Sequence, residues 1–138
     1  MRKFIFFLFC SLTPLIAFSQ SKLFAQQAQQ AAASYQQIYK LNSEQQQQVL
    51  QIQQQYLEKQ AELSPLEGKN LDRYLSKKIG LRKITERSVY KILNKEQQML
   101  FTKKQDELAQ KEATLKAKLK KQGVSQTDIK KALLNMDI

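Results

Sequence analysis

Five cations fall on one face of a predicted helix. Arg73, Lys77, Lys83, Arg87 and Lys91 lie within about 120° of one another at the 3.6-residue period, and Ile84 sits among them. Such a stripe attracts anions, and an interleaved apolar side chain lets it hold segments that are both acidic and greasy. A solvated helix face has the same appearance, so each cation taken singly carries both readings. Tyr74 and Leu81 lie beside the stripe. A second basic group, Lys111, Lys116, Lys118, Lys120 and Lys121, lies near the end of a later predicted helix. Positive charge there complements the helix dipole, and an anionic envelope surface is the other partner it suits.

Groups for covalent or metal chemistry are scarce. The chain has no His, no Trp and a single Cys, Cys10. No Ser- or Cys-based triad can be assembled, and no Gly-rich phosphate loop is present. Zinc and copper lack their usual ligands, and Met99 and Met136 are too few for a methionine-based copper site. Asp and Glu are scattered among Lys and Gln, as on a solvated face. The expectation is a protein that acts by binding, with no catalytic residues, no cofactor and no metal.

The amino terminus reads as an export signal. Arg2 and Lys3 are followed by an apolar run from Phe4 to Phe18, and Ala17-Phe18-Ser19 places small residues where a signal peptidase reads. The run is interrupted by Pro14 and falls short of the ~20 apolar residues of a membrane-spanning helix. Cleavage is expected near Ser19/Gln20. Phe9 is too bulky for a lipobox, so Cys10 leaves with residues 1–19. The formal charge then falls from +11 to +9, because Arg2 and Lys3 are the only charges lost. No disulfide is then available, so stability must come from helix packing or association. A surplus of positive charge favours anionic partners. For an exported chain these are acidic proteins, anionic lipid head groups or lipopolysaccharide, and nucleic acid is not expected.

The elements that position these residues are helical. Residues 20–138 fit one domain, rich in Gln, Lys, Leu, Ala and Glu, with no sustained period-two pattern. A first helix is expected over Ser21 to Lys40, with Phe24, Ala28, Ala31, Tyr35 and Ile38 as a packing stripe. A second starts at Asn42, with Val49, Ile52, Tyr56 and Leu63 on one face. Ser64-Pro65-Leu66-Glu67 reads as a fresh helix start, with Ser64 capping and Pro65 in the first position. The third helix runs from about Pro65 or Leu71 to Leu93. There Lys78 and Arg82 fall on the apolar side and must snorkel, or the helix must bend near Gly80. Asn94 opens a fourth helix whose apolar line, Phe101, Leu108, Leu115 and Leu119, is narrow enough to touch one neighbour and project. Gly123 is placed to end it. Ser125, Asp128 and the Val124–Ile129 staple open a short last helix to about Met136.

The most informative feature is a repeat. Leu41-Asn42-Ser43-Glu44-Gln45-Gln46 returns as Leu93-Asn94-Lys95-Glu96-Gln97-Gln98. Each copy is a helix entry in itself. The Leu anchors the preceding turn, the Asn caps, the Glu favours the positive helix end, and Gln45 or Gln97 closes a capping box. Two copies bracketing a long helical segment behind an export signal resemble the LTxxQ-motif, Spy/CpxP-like family of small periplasmic proteins. Leu41 and Gln45, and Leu93 and Gln97, match that family's Leu and Gln. Asn42 and Asn94 stand where the family has Thr, a swap between two good caps. The resemblance covers about residues 35–105.

That resemblance implies an all-α, elongated helical hairpin, here of about four helices plus a short C-terminal one, that pairs as an antiparallel homodimer. A thin core argues for association as well. It also implies an ATP-independent, holdase-type chaperone or envelope-stress protein that binds unfolded or exported proteins. The alternative is a signalling or assembly partner of one envelope protein, such as a sensor kinase domain. Arg73, Lys77, Lys83, Ile84, Arg87 and Lys91 are the candidate client surface. Leu41, Asn42, Gln45, Leu93, Asn94 and Gln97 are the cap motifs.

Overall fold

A computed structural model describes residues 14–136. The amino-terminal part of the expected export signal, including Cys10, lies outside them. The described residues form five helices and no strand: α1 (Pro14–Tyr39), α2 (Ser43–Glu67), α3 (Leu71–Ile92), α4 (Lys95–Lys121) and α5 (Gln126–Leu134). The chain is therefore all-α, as its composition and periodicity require.

Connections of two to four residues force successive helices to run antiparallel. α2 packs along both α1 and α3, and α4 returns beside α1 and α3. Along α3 and α4, Tyr90 faces Phe101 and Arg82 faces Glu112, so the pair opens from a hinge at Leu93-Asn94. α5 folds back onto α3 and α4. One buried cluster holds the crowded end together: Ala32 and Tyr39 of α1, Val49 of α2, Val89 of α3, Phe101 of α4, and Leu41 and Leu93 of the connections. Removing these side chains from water is the main favourable term.

Several expectations are corrected. α1 is helical from Pro14, through the expected cleavage position, to Tyr39. Its buried residues are Ala28, Ala32 and Tyr39, while Phe24, Ala31, Tyr35 and Ile38 are half-buried. The helix is thus rolled slightly from the expected stripe. Ser64 does not start a new helix. α2 continues through Pro65 to Glu67, and the break comes at Gly68-Lys69. Pro65 cannot donate the i→i−4 bond, and α2 ends two residues beyond it. Asn70 caps α3, its side chain accepting from the Arg73 N–H at 3.0 Å. α4 touches more than one neighbour. Phe101 meets Tyr39 and Tyr90, Leu108 is buried, and α5 covers the far half.

The other punctuation matches its residues. Gly123 has φ 71°, its N–H bonds Lys120 O at 3.1 Å and Val124 N–H bonds Leu119 O at 3.1 Å. This is a Schellman stop. Ser125 caps α5 by accepting from Asp128 N–H at 3.1 Å. The Asp128 carboxylate accepts from the Ser125 hydroxyl at 2.6 Å instead of from the cap's backbone.

Candidate functional site

The two motif copies meet. Both lie at the same end of the bundle, and each makes the expected capping box. Asn42 Oδ1 accepts from Gln45 N–H at 2.8 Å while Asn42 N–H donates to Gln45 Oε1 at 3.1 Å. Asn94 and Gln97 repeat this at 2.9 Å in both directions. The Gln side chains then reach across. Gln45 Nε2 donates to Gln97 Oε1 at 2.8 Å, and Gln97 Nε2 donates to Gln45 Oε1 at 3.2 Å. Their remaining hydrogens go to the opposite helix end: Gln45 Nε2 to Ile92 O at 2.9 Å, Gln97 Nε2 to Tyr39 O at 3.1 Å and Lys40 O at 3.4 Å.

Both amides are buried and have every donor and acceptor engaged. The motif is therefore a symmetric clasp between two helical hairpins. It exposes no unsatisfied group to a ligand. Leu41 and Leu93 are buried under it, and Lys40, at φ 54°, closes α1 in the left-handed region.

A polar layer crosses the bundle further along. Arg82 is half-buried between Glu86, at 3.6 Å on its own helix, and Glu112 of α4, at 2.5 Å, and its Nη1 donates to Leu133 O at 3.3 Å. The two cations on the apolar side of α3 thus find local solutions. Arg82 pairs inward, and Lys78 lies over the buried Tyr74 ring, 5.4 Å from its centroid. Burial pushes the Glu86 carboxyl above its ordinary range, with Glu112 adding to the shift and Arg82 only partly offsetting it. Burial likewise raises the phenol of Tyr35, helped by Tyr39 and Glu86, and the phenols of Tyr39 and Tyr56.

The basic stripe stays on the outside. Arg73, Lys77, Lys83, Arg87 and Lys91 are all exposed, and Ile84 among them is 61% exposed. None of the five cations enters an ion pair among the described residues. Tyr74 is buried and drops out of this surface, and Leu81 is half-buried at its edge.

Sequence reasoning missed a second mixed patch at the hinge between α3 and α4. Tyr90, Met99 and Leu100 are exposed, Met99 at 74%. Lys95, Lys103 and Thr102 line the same shallow groove as Tyr90 and Met99. Met99 lies about 160° around α4 from Phe101. An apolar residue opposite the packing line was the available signal.

No group of three or more metal-ligating side chains occurs among the described residues, and no helix among them is long and apolar enough to cross a membrane. Comparison with protein-family models, with curated proteins and with solved structures finds no match.

Proposed function

We propose that the protein is an ATP-independent, holdase-type binder of unfolded or exported proteins, working outside the cytoplasm without catalysis. The observation that carries this reading is the setting of Ile84. A large aliphatic side chain stands in solvent, surrounded by exposed cations that enter no ion pair among the described residues. A chain with acidic and apolar segments satisfies both halves of that arrangement. The positive surface speeds encounter, and Ile84, with Tyr90, Met99 and Leu100 at the hinge, supplies weak, non-directional holding.

Further support comes from the clasp. It secures the bundle at one end with satisfied polar groups, which leaves the outer faces of α3 and α4 free for partners. The resemblance to the LTxxQ-motif family and the expected export signal point the same way. An antiparallel homodimer is part of this proposal, since pairing would enlarge a thin core and widen the mixed surface.

The test is suppression of aggregation of a chemically denatured client without nucleotide. Suppression by the protein is expected. Joint replacement Arg73→Glu, Lys77→Glu, Lys83→Glu and Arg87→Glu is expected to abolish it with helicity retained. Unchanged suppression by that variant would remove the stripe from the account. Inactivity on generic clients together with one stoichiometric envelope partner would favour the signalling role instead.

A further inference from the structure

A partly enclosed cavity lies between α3, α4 and α5, away from the clasp and beside the stripe. Its volume is about 410 Å³, within the ~300–1,000 Å³ of sites that enclose small ligands. Ile79 of α3 and Ile129 and Leu133 of α5 supply apolar lining, and Ala109 and Ala113 of α4 line it at exposed positions. Ile129 is only 1% exposed and packs at the base of the cleft.

The polar groups of this cleft divide into two kinds. Arg82 and Glu112 neutralise each other, and Arg82 also serves Leu133 O. Lys130 is tied to Asp72 at 2.6 Å and to Ser76 at 3.0 Å. Lys83 and Lys116 also line the cleft, are exposed, and enter no ion pair among the described residues. One contributes from α3 and the other from α4. The cleft therefore combines an apolar floor with two lysines that enter no ion pair among the described residues.

We infer that this cleft binds one free single-chain fatty carboxylate, with the head between Lys83 and Lys116 and the alkyl chain over Ile79, Ile129 and Leu133. A peptide segment fits less well. Its backbone amides would need partners, and the walls are helices whose backbone groups are already bonded. A saturated chain asks for none, and only its head needs charge. Because α5 forms one wall, the occupant also fastens α5 to α3 and α4.

The experiment is calorimetric titration of the protein with octanoate, decanoate and dodecanoate below their micellar concentrations. One saturable site per chain is expected, tightening about fourfold for each methylene buried, from ~0.8 kcal/mol per CH₂. Decanol should bind at least tenfold more weakly than decanoate. Joint Lys83→Gln and Lys116→Gln replacement should erase that preference. Ala113→Phe, at an exposed position the fold tolerates, should block the cleft and abolish binding with helicity unchanged. Amide exchange in α5 should slow when decanoate is bound. Absence of saturable binding, equal binding of decanol, or full binding by the Ala113→Phe variant would overturn the inference. Aggregation assays play no part in it, so it stands or falls independently of the client-binding proposal.

Discussion

Gln45 and Gln97, fifty-two positions apart, exchange side-chain hydrogen bonds at 2.8 and 3.2 Å and each donates to the backbone at the end of the other's hairpin. Removing one amide leaves the other buried with donors and acceptors unmet. Gln45→Ala or Gln97→Ala alone is therefore expected to cost about 1–3 kcal/mol. The double variant should cost less than the sum, with a coupling of ~0.5–3 kcal/mol. Urea denaturation of the four proteins measures this. Additive losses would mean that the amides act separately.

The two positive-φ residues should respond in opposite directions. Lys40 closes α1 at φ 54° and Gly123 closes α4 at φ 71°. Lys40→Gly relieves a conformation that side chains disfavour, and should raise stability by up to about 1 kcal/mol. A Cβ at Gly123 meets nothing within 4 Å, so Gly123→Ala incurs only the backbone strain, roughly 1–2 kcal/mol. That loss should appear as faster amide exchange in α5, which the Gly123 turn aims back at the bundle.

Titration of the polar layer gives a pH signature. The Glu86 carboxyl is raised in the folded state, chiefly by burial. Its ionisation therefore opposes folding above that raised value, and the penalty fades as pH falls to the ordinary carboxylate range. Glu86→Gln should raise Tm at neutral pH and change it little in acid. A Tm lowered at neutral pH but unchanged in acid would show that the Arg82 contact outweighs desolvation.

The phenols act at the other end of the scale. Tyr35, Tyr39 and Tyr56 hold their protons more tightly when folded. Stability should fall as pH rises above the ordinary tyrosine value of about 10. Tyr35→Phe should blunt that alkaline loss, read as the slope of Tm against pH.

What could be read locally was legible. Asn42, Asn94, Ser125 and Gly123 each mark a boundary through bonds that reach only three to five residues along the chain, so their neighbours suffice to identify them. Pro65 shows the limit of such reading. A proline in the first turn and one in the last turn have similar surroundings, and the next helix is capped six residues past Ser64, by Asn70. Longer relationships were hidden for a different reason. The misfit of Arg82 on an apolar face was visible, but its partner Glu112 depends on how α4 lies along α3. The caps predicted Gln45 and Gln97 one at a time. Their meeting depends on both hinges reaching the same end of the bundle.

The proposed client surface uses side chains that do little for the fold. Val49 and Val89 are fully buried, and Val49→Ala should cost about 2 kcal/mol through lost transfer energy and the cavity left behind. Ile84→Ser should stay within ~0.5 kcal/mol, as exposed substitutions do, yet weaken aggregation suppression.

The most direct test of client binding is photo-crosslinking from defined positions. A crosslinkable residue at Ile84, at Met99, or at the exposed Glu62 of α2 would be mixed with an acidic client in its unfolded and native forms. Capture of the unfolded client from positions 84 and 99, little from 62, and none of the native client is the expected result. Capture from position 62 equal to that from 84 and 99, or no capture from either of the latter, would contradict the account.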